Sequence, residues 1–165
     1  MSPAPIMSSD TTVSVEKTVG EIHSLLCQAG ADYISTRFDA SRTPDAISFC
    51  IQVQLPGGPL RAPMNFVLPA RWEGVLKRLG KPRVPTYSPV YERAMKKREE
   101  QARRVAWRNV YFWLKAQLSI IECEQAEVVE VFLPYAVSRD GATTLFQQLK
   151  QTSYAGLLPE RAGAA

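Results

Sequence analysis

The stretch that decides the fold is residues 47–68, ISFCIQVQLPGGPLRAPMNFVL. Apolar and polar residues alternate through its first half, which is the pattern of a β-strand with one buried face. The turn sequence PGGP follows at 56–59, and the alternation then resumes. The stretch therefore predicts an antiparallel hairpin with one apolar face. The residues expected on that face are Ile47, Phe49, Ile51, Val53, Leu55, Leu60, Ala62, Met64, Phe66 and Leu68.

The segment before the hairpin predicts a helix and a short strand. Apolar residues recur at helical spacing from Val15 to Leu26. Ser14 is suited to cap the start of this helix, and Gly30 is suited to follow its last turn. Residues 33–38 are a strand candidate. We expect the helix to cover the apolar face of the hairpin.

The segment after the hairpin predicts mostly helix. A Pro-rich basic connector at 69–88 contains a candidate short helix at 72–79, and residues 89–121 predict one long helix of about 50 Å. Ser88 and Pro89 are suited to begin that long helix as N-cap and first-turn proline. The elements expected beyond it are a shorter helix from about Glu122 to Phe132, a strand at 135–138, a turn at 139–141 and a helix at 144–151.

These elements predict an α+β fold, in which a short antiparallel sheet is packed by an N-terminal helix and followed by a long helix and a small helical C-terminal end. Residues 13–152 are expected to form one domain, 1–12 a disordered tail and 153–165 a flexible tail. A length of 165 residues, with 45% hydrophobic and 22% charged residues, suits a single globular domain.

Composition argues against several classes of function. The N-terminal residues lack a secretion-signal pattern and no apolar run is long enough to span a membrane, so we expect a cytoplasmic protein (host-cell cytoplasm if phage-encoded). Cys27, Cys50 and Cys123 form no CxxC motif, and His23 is the only histidine. We therefore expect reduced thiols, no metal, no cofactor and no catalytic residues; an enzyme is not excluded but is the weaker interpretation.

Charge is unevenly distributed, although the net charge is only +4. Residues 61–108 contain thirteen Lys or Arg against four Glu. Within the long helix, a basic half precedes an aromatic and apolar half. This asymmetry suggests nucleic-acid binding, because neutralising phosphates releases counterions. The candidate phosphate contacts are Arg93, Lys97, Arg103, Arg104 and Arg108, and the candidate base-stacking residues are Trp107 and Tyr111.

Each of these patterns also has a purely structural explanation. Ion pairs at i,i+4, namely Glu92–Lys96, Glu99–Arg103 and Glu100–Arg104, would make the basic half a solvated helix face. The aromatic residues would then fill a core. Another alternative is a helix–helix seam in a homo-oligomer, formed by Ala102, Val105, Ala106, Asn109, Phe112, Trp113 and Ala116.

An acidic segment follows the long helix and contains Glu122, Glu124, Glu127 and Glu130. Glu127 and Glu130 would share a helix face, so a magnesium-dependent nuclease is one hypothesis. No histidine, paired Asp or catalytic Lys accompanies them in a known pattern. A solvated acidic face is the favoured interpretation.

The chain resembles a family of short, largely uncharacterised α+β proteins of tailed phages and prophages. The matching motifs are VEKT at 15–18, EI at 21–22, LL at 25–26, AGA at 29–31, WR at 107–108, LKAQL at 114–118, VFLPY at 131–135 and DG at 140–141. The resemblance covers most of 13–147 and carries over no catalytic residue. It implies a phage or mobile-element origin.

Two functional hypotheses follow. The first is a non-enzymatic phage accessory protein that binds nucleic acid through a basic helix and forms an oligomer. The second is a counter-defence or protein-interaction factor that binds a host protein or sequesters a small nucleotide.

Overall fold

The computed structural model describes residues 5–139 and 141–158. It contains a three-stranded antiparallel sheet, with helices before and after the sheet in sequence. In chain order the elements are α1 (Val15–Gln28), β1 (Tyr33–Phe38), β2 (Pro44–Gln54), β3 (Arg61–Pro69), α2 (Trp72–Leu79), α3 (Tyr91–Glu122), α4 (Val128–Phe132), a 3₁₀ turn (Leu133–Tyr135) and α5 (Leu145–Gln151). The predicted α+β fold is confirmed.

The hairpin forms as expected, with β2 central between β1 and β3. Phe49 is paired with Phe66, and Ile47 is paired with Leu68. All four of these side chains are buried on one face. Leu55 and Leu60 were wrongly expected on that face. They lie in the turn, where the Leu55 amide donates to the Leu60 carbonyl, and their side chains are exposed.

α1 covers the apolar face of the sheet, as predicted. The Ser14 hydroxyl accepts a hydrogen bond from the Lys17 amide at 3.2 Å and caps the helix. Gly30 follows the last turn with a φ of 82°, a left-handed conformation that favours glycine. Ile22 and Leu26 are fully buried against the sheet.

α3 is one continuous helix of 32 residues, about 48 Å long. Its predicted start is wrong by two residues. Ser88 and Pro89 lie in the turn before the helix, and Val90 occupies the N-cap position without a side-chain cap. The helix ends at Glu122, and Glu124 then takes a left-handed φ of 55° that redirects the chain.

An aromatic cluster joins the sheet to the C-terminal part. The ring of Phe132 lies 5.5 Å from Phe49 and 5.7 Å from Phe66, centroid to centroid. Trp113 packs edge-on against Phe132 and against Tyr135. Rings in such tilted arrangements add to the stabilisation from burial alone. This cluster packs α4 and the 3₁₀ turn against the sheet and α3.

The C-terminal elements are shorter than predicted. α4 begins at Val128 rather than near Glu122. The predicted strand at 135–138 is reduced to two isolated bridges, Phe66 to Ala136 and Val137 to Thr144. Residue 140 of the predicted turn at 139–141 and residues 159–165 of the predicted tail at 153–165 lie outside the described part. The final helix forms, with Thr144 and Gln147 in a reciprocal cap.

Candidate nucleic-acid interface

α3 divides into two parts that differ in burial. None of residues 91–100 is buried. The buried residues of the helix all lie further along, and they are Ala102, Val105, Ala106, Trp107 and Leu114. The first ten residues, about 15 Å of helix, are therefore exposed or half-buried.

Trp107 is a core residue and not a stacking platform. Its side chain is only 1% exposed. The indole Nε1 donates a hydrogen bond to the Pro44 carbonyl at 3.0 Å. A base cannot reach this ring without unfolding the core, so the predicted role in base stacking is wrong.

The Arg103 side chain is mostly buried and contacts other residues of the fold. Its Nη1 forms an ion pair with Asp39 Oδ2 at 2.7 Å. The guanidinium also lies 4.2 Å from the centre of the Trp72 ring. Its side chain is 13% exposed. The predicted phosphate contact at Arg103 would require breaking both interactions.

Backbone hydrogen bonds hold the Asp39 carboxylate that pairs with Arg103. Its Oδ1 accepts hydrogen bonds from the amides of Thr43 and Ser41 at 3.0 and 2.9 Å. The Thr43 amide, chiefly, and the Arg103 guanidinium hold the pKa of the Asp39 carboxyl below its usual value. Asp39 therefore stays ionised at neutral pH and keeps Arg103 in place.

Arg108 is held in the same way on the opposite side of the helix. It forms an ion pair with Glu21 of α1. Its guanidinium lies 4.4 Å from the centre of the Tyr111 ring and 5.0 Å from that of Phe112. This arrangement covers Tyr111, which is half-buried. Arg108 therefore joins α1 to α3, and a phosphate contact at Arg108 or base stacking at Tyr111 would require breaking these interactions.

Arg104 is the third cation that sequence reasoning placed on this part of the helix. Its Nε and Nη2 donate to Gln101 Oε1 at 3.0 and 2.7 Å. Gln101 Nε2 in turn donates to the carbonyls of Ser9 and Thr11, each at 3.0 Å. These bonds tie a part of the predicted N-terminal tail to α3.

The intrahelical ion pairs predicted for the basic half do not form. In the part of the chain that the structure describes, Glu92, Glu99 and Glu100 have no cationic nitrogen within 4 Å. Arg103 and Arg104 turn to Asp39 and Gln101 instead. The remaining exposed cations of the first turns are Arg93, Lys96 and Lys97, and among the described residues none of the three has a carboxylate partner.

The connection between α2 and α3 adds further exposed positive charge. From Lys77 to Arg98, the chain has eight Lys or Arg against a single Glu. We call residues 77–98 the basic arm. Tyr87 lies within it and is 89% exposed. Sequence reasoning missed Tyr87, although an aromatic residue in a Pro-rich basic connector was the signal that marked it.

The helix–helix seam considered from sequence is not available. Ala102, Val105 and Ala106 are buried inside the single chain, so they cannot pack against another copy. Phe112 is 41% exposed, but Arg108 lies over its ring. Oligomerisation through a different surface stays a prediction.

Two residues of the acidic segment cap the N-terminus of α4. Glu127 and Glu130 form a reciprocal cap, with the Glu127 amide donating to Glu130 Oε2 at 3.3 Å. Within residues 5–139 and 141–158, no group of three or more His, Cys, Asp or Glu side chains has an arrangement that suits a metal ion. Burial raises the pKa of the Cys50 thiol, with a smaller effect from Asp32, so this thiol remains protonated and is a poor nucleophile.

Comparison of the chain with models of protein families, with curated proteins and with solved structures finds no match. None of the helices in the described residues combines the length and apolar composition needed to cross a membrane.

Proposed function

We propose that this protein is a non-enzymatic accessory protein, of phage or mobile-element type, that binds nucleic acid through the basic arm. The proposed phosphate contacts are Arg93, Lys96 and Lys97. Two of them, Arg93 and Lys97, belong to the contacts expected from sequence. Lys81 and Arg83, which are exposed in the connection that precedes α3, are proposed as further contacts.

The observation that carries the proposal is the group of unpaired cations at the start of α3. Arg93 lies three residues before Lys96 and four before Lys97, so the three side chains share one side of the helix. A cation without an internal carboxylate partner loses no ion pair when it binds a phosphate. Each phosphate neutralised releases condensed counterions, which is a favourable and salt-dependent contribution to the free energy of binding.

Tyr87 supports single strands as the preferred form. Stacking of a base on an exposed aromatic ring contributes about 1–3 kcal/mol, and it tolerates any base sequence. Tyr87 has the exposure that this contact needs, whereas Trp107 and Tyr111 do not. A duplex keeps its bases stacked on one another and gains nothing from this ring.

Carboxylates in the first turns of α3 limit the affinity that we expect. Residues 91–100 carry four cations and three carboxylates, a net charge of only +1 by subtraction. Binding therefore depends on the connection before the helix as well as on the helix itself. We expect modest affinity, weakened steeply by salt and without strong sequence preference.

The proposal is tested by fluorescence polarisation with labelled single- and double-stranded DNA and RNA at low and moderate salt. The expected result is binding that falls with salt, and tighter binding of single strands than of duplexes. Absence of binding to all of these probes at low salt would contradict the proposal. The alternative of a host-protein partner would then take its place.

A further inference from the structure

A cleft lies between the C-terminal segment and the face of the sheet opposite α1. Its volume is about 420 Å³. Ser48 alternates with the buried Ile47 and Phe49 along β2, which places it on this second face. Val137 donates its amide to the Asn65 carbonyl at 2.8 Å, which brings the C-terminal segment against the edge of β3. The segment then passes beside the second face and closes one side of the cleft.

Two arginines line the cleft, one from near each edge of the sheet. Arg37 of β1 is paired with Ala46, which is paired with Pro69 of β3, so about 10 Å separates the two outer strands here. Arg71 follows Pro69 by two residues. The residues that line the cleft include both arginines, and no carboxylate occurs among the described ones. Arg71 therefore brings a positive charge to the cleft that no described carboxylate offsets, whereas the charge of Arg37 is paired with that of Asp45.

The two arginines are oriented by different contacts. Asp45 accepts hydrogen bonds from Arg37 Nε and Nη2, at 2.9–3.1 Å, and raises the pKa of Arg37. Asp45 makes no hydrogen bond to Nη1, which keeps its protons for another acceptor. Arg71 rests on the Phe146 ring, 5.3 Å from its centre, and has no carboxylate within 4 Å among the described residues.

The remaining walls are of two kinds. Hydroxyl groups come from Ser48 and Thr143, and apolar surface comes from Val67, Pro134 and Tyr135. A volume of about 420 Å³ is much larger than a free phosphate requires and is within the range of small-ligand sites, roughly 300–1,000 Å³. The planar fork of an arginine suits the oxygens of a phosphate, and the apolar wall suits a ring.

We infer that this cleft binds a small phosphorylated molecule with a ring system, of the size of a nucleoside monophosphate. Arg71 and Arg37 hold the phosphate, Ser48 and Thr143 donate hydrogen bonds, and the ring lies against Val67 and Pro134. No residue of the basic arm lines the cleft. The site is therefore independent of the proposed binding of nucleic acid.

The test is isothermal titration calorimetry of the full chain with adenosine 5′-monophosphate, with adenosine and with inorganic phosphate. The expected result is saturable binding of one nucleotide per chain, tighter than that of either fragment. Arg71→Gln should weaken the binding at least about tenfold, because it removes charge-assisted hydrogen bonds. Arg71 makes no side-chain cap for α2, so this substitution leaves the helix intact.

Arg61→Gln is the matched control. Arg61 is also an exposed arginine of the sheet, but it lies at the far end of β3 and outside the cleft. The Arg61→Gln variant should bind the nucleotide as tightly as the unchanged protein does. Arg37→Gln should weaken binding as Arg71→Gln does, and a thermal melt of each variant verifies folding.

Absence of saturable nucleotide binding at millimolar concentration would overturn the inference. Equal binding by Arg71→Gln and the unchanged protein would also overturn it, because the anion would then lie elsewhere. Phosphate alone binding as tightly as the nucleotide would overturn the ring contact. Oligonucleotide binding by Arg71→Gln should be unchanged, which keeps this inference separate from the proposed function.

Discussion

The two parts of α3 contain similar numbers of basic residues, but these residues have different surroundings. In residues 101–108, Arg103 and Arg108 are each held by a carboxylate from another element and by an aromatic ring. In residues 91–100, Arg93, Lys96 and Lys97 have no such partner among the described residues. The difference arises from the surroundings of the helix and not from its sequence. It teaches that a run of basic residues can be half structural and half available to a ligand.

The largest effect on the free energy of unfolding is expected from a substitution at Trp107, in the buried part of α3. Trp107→Ala removes a fully buried indole and its hydrogen bond to Pro44, and it should lower the free energy of unfolding by about 3–5 kcal/mol. Urea denaturation monitored by circular dichroism measures the change. A decrease below about 1 kcal/mol would show that Trp107 is not a core residue.

The next largest effect is expected at the pair of Arg108 and Glu21. Arg108→Gln should lower the free energy of unfolding by about 1–2 kcal/mol, since the side chain is mostly buried and also packs on Tyr111. A double-mutant cycle with Glu21→Gln isolates the interaction between the two charges. Additive effects of the two substitutions would contradict the account of Arg108 as a structural residue.

A smaller effect is expected from the pH dependence at Asp39. Its pKa is lower in the folded protein than its ordinary value of 3.8, so it stabilises the fold fully above that pH. The stabilisation is lost as the pH falls through the lowered pKa, because the folded state then takes up the proton. The difference in free energy of unfolding between the unchanged protein and Asp39→Asn should therefore shrink between pH 5 and about pH 2. A difference that is constant over this range would contradict the Asp39–Arg103 contact.

The smallest effect on stability is expected in residues 91–100. The combined substitution Arg93→Gln, Lys96→Gln and Lys97→Gln should change the free energy of unfolding by no more than about 0.5 kcal/mol per residue, since these cations are exposed and have no carboxylate partner among the described residues. Urea denaturation again measures the change. A loss as large as that for Arg108→Gln would mean that these cations are also structural.

The sequence predicted the fold better than the site. Alternation in β2 and β3, the Ser14 cap and the Gly30 turn are local signals, and the elements that depend on them form where expected. The overlong estimate for α4 has a local cause as well, because the Glu124 turn has no glycine to mark it.

The fate of each cation could not be predicted in the same way. Arg103 and Asp39 are 64 positions apart in the sequence, and Arg108 and Glu21 are 87 positions apart. Periodicity within the helix favoured Glu99 and Glu100 as partners, but the tertiary contacts prevail in the folded chain. The exposure of Tyr87 likewise depends on how the connection packs, which no local pattern specifies.

The measurement that tests the central claim most directly is the salt dependence of single-stranded oligonucleotide binding by two charge-matched variants. One variant carries Arg93→Gln, Lys96→Gln and Lys97→Gln. The control carries Lys17→Gln, Arg61→Gln and Lys150→Gln, which remove the same charge from exposed positions on other elements.

Fluorescence polarisation at several salt concentrations gives the affinity and the salt slope of each variant. We predict that the α3 variant loses at least about tenfold in affinity and about 2–3 in slope, roughly one for each lost phosphate contact, while the control stays close to the unchanged protein. An equal loss in both variants would contradict a binding surface on the basic arm.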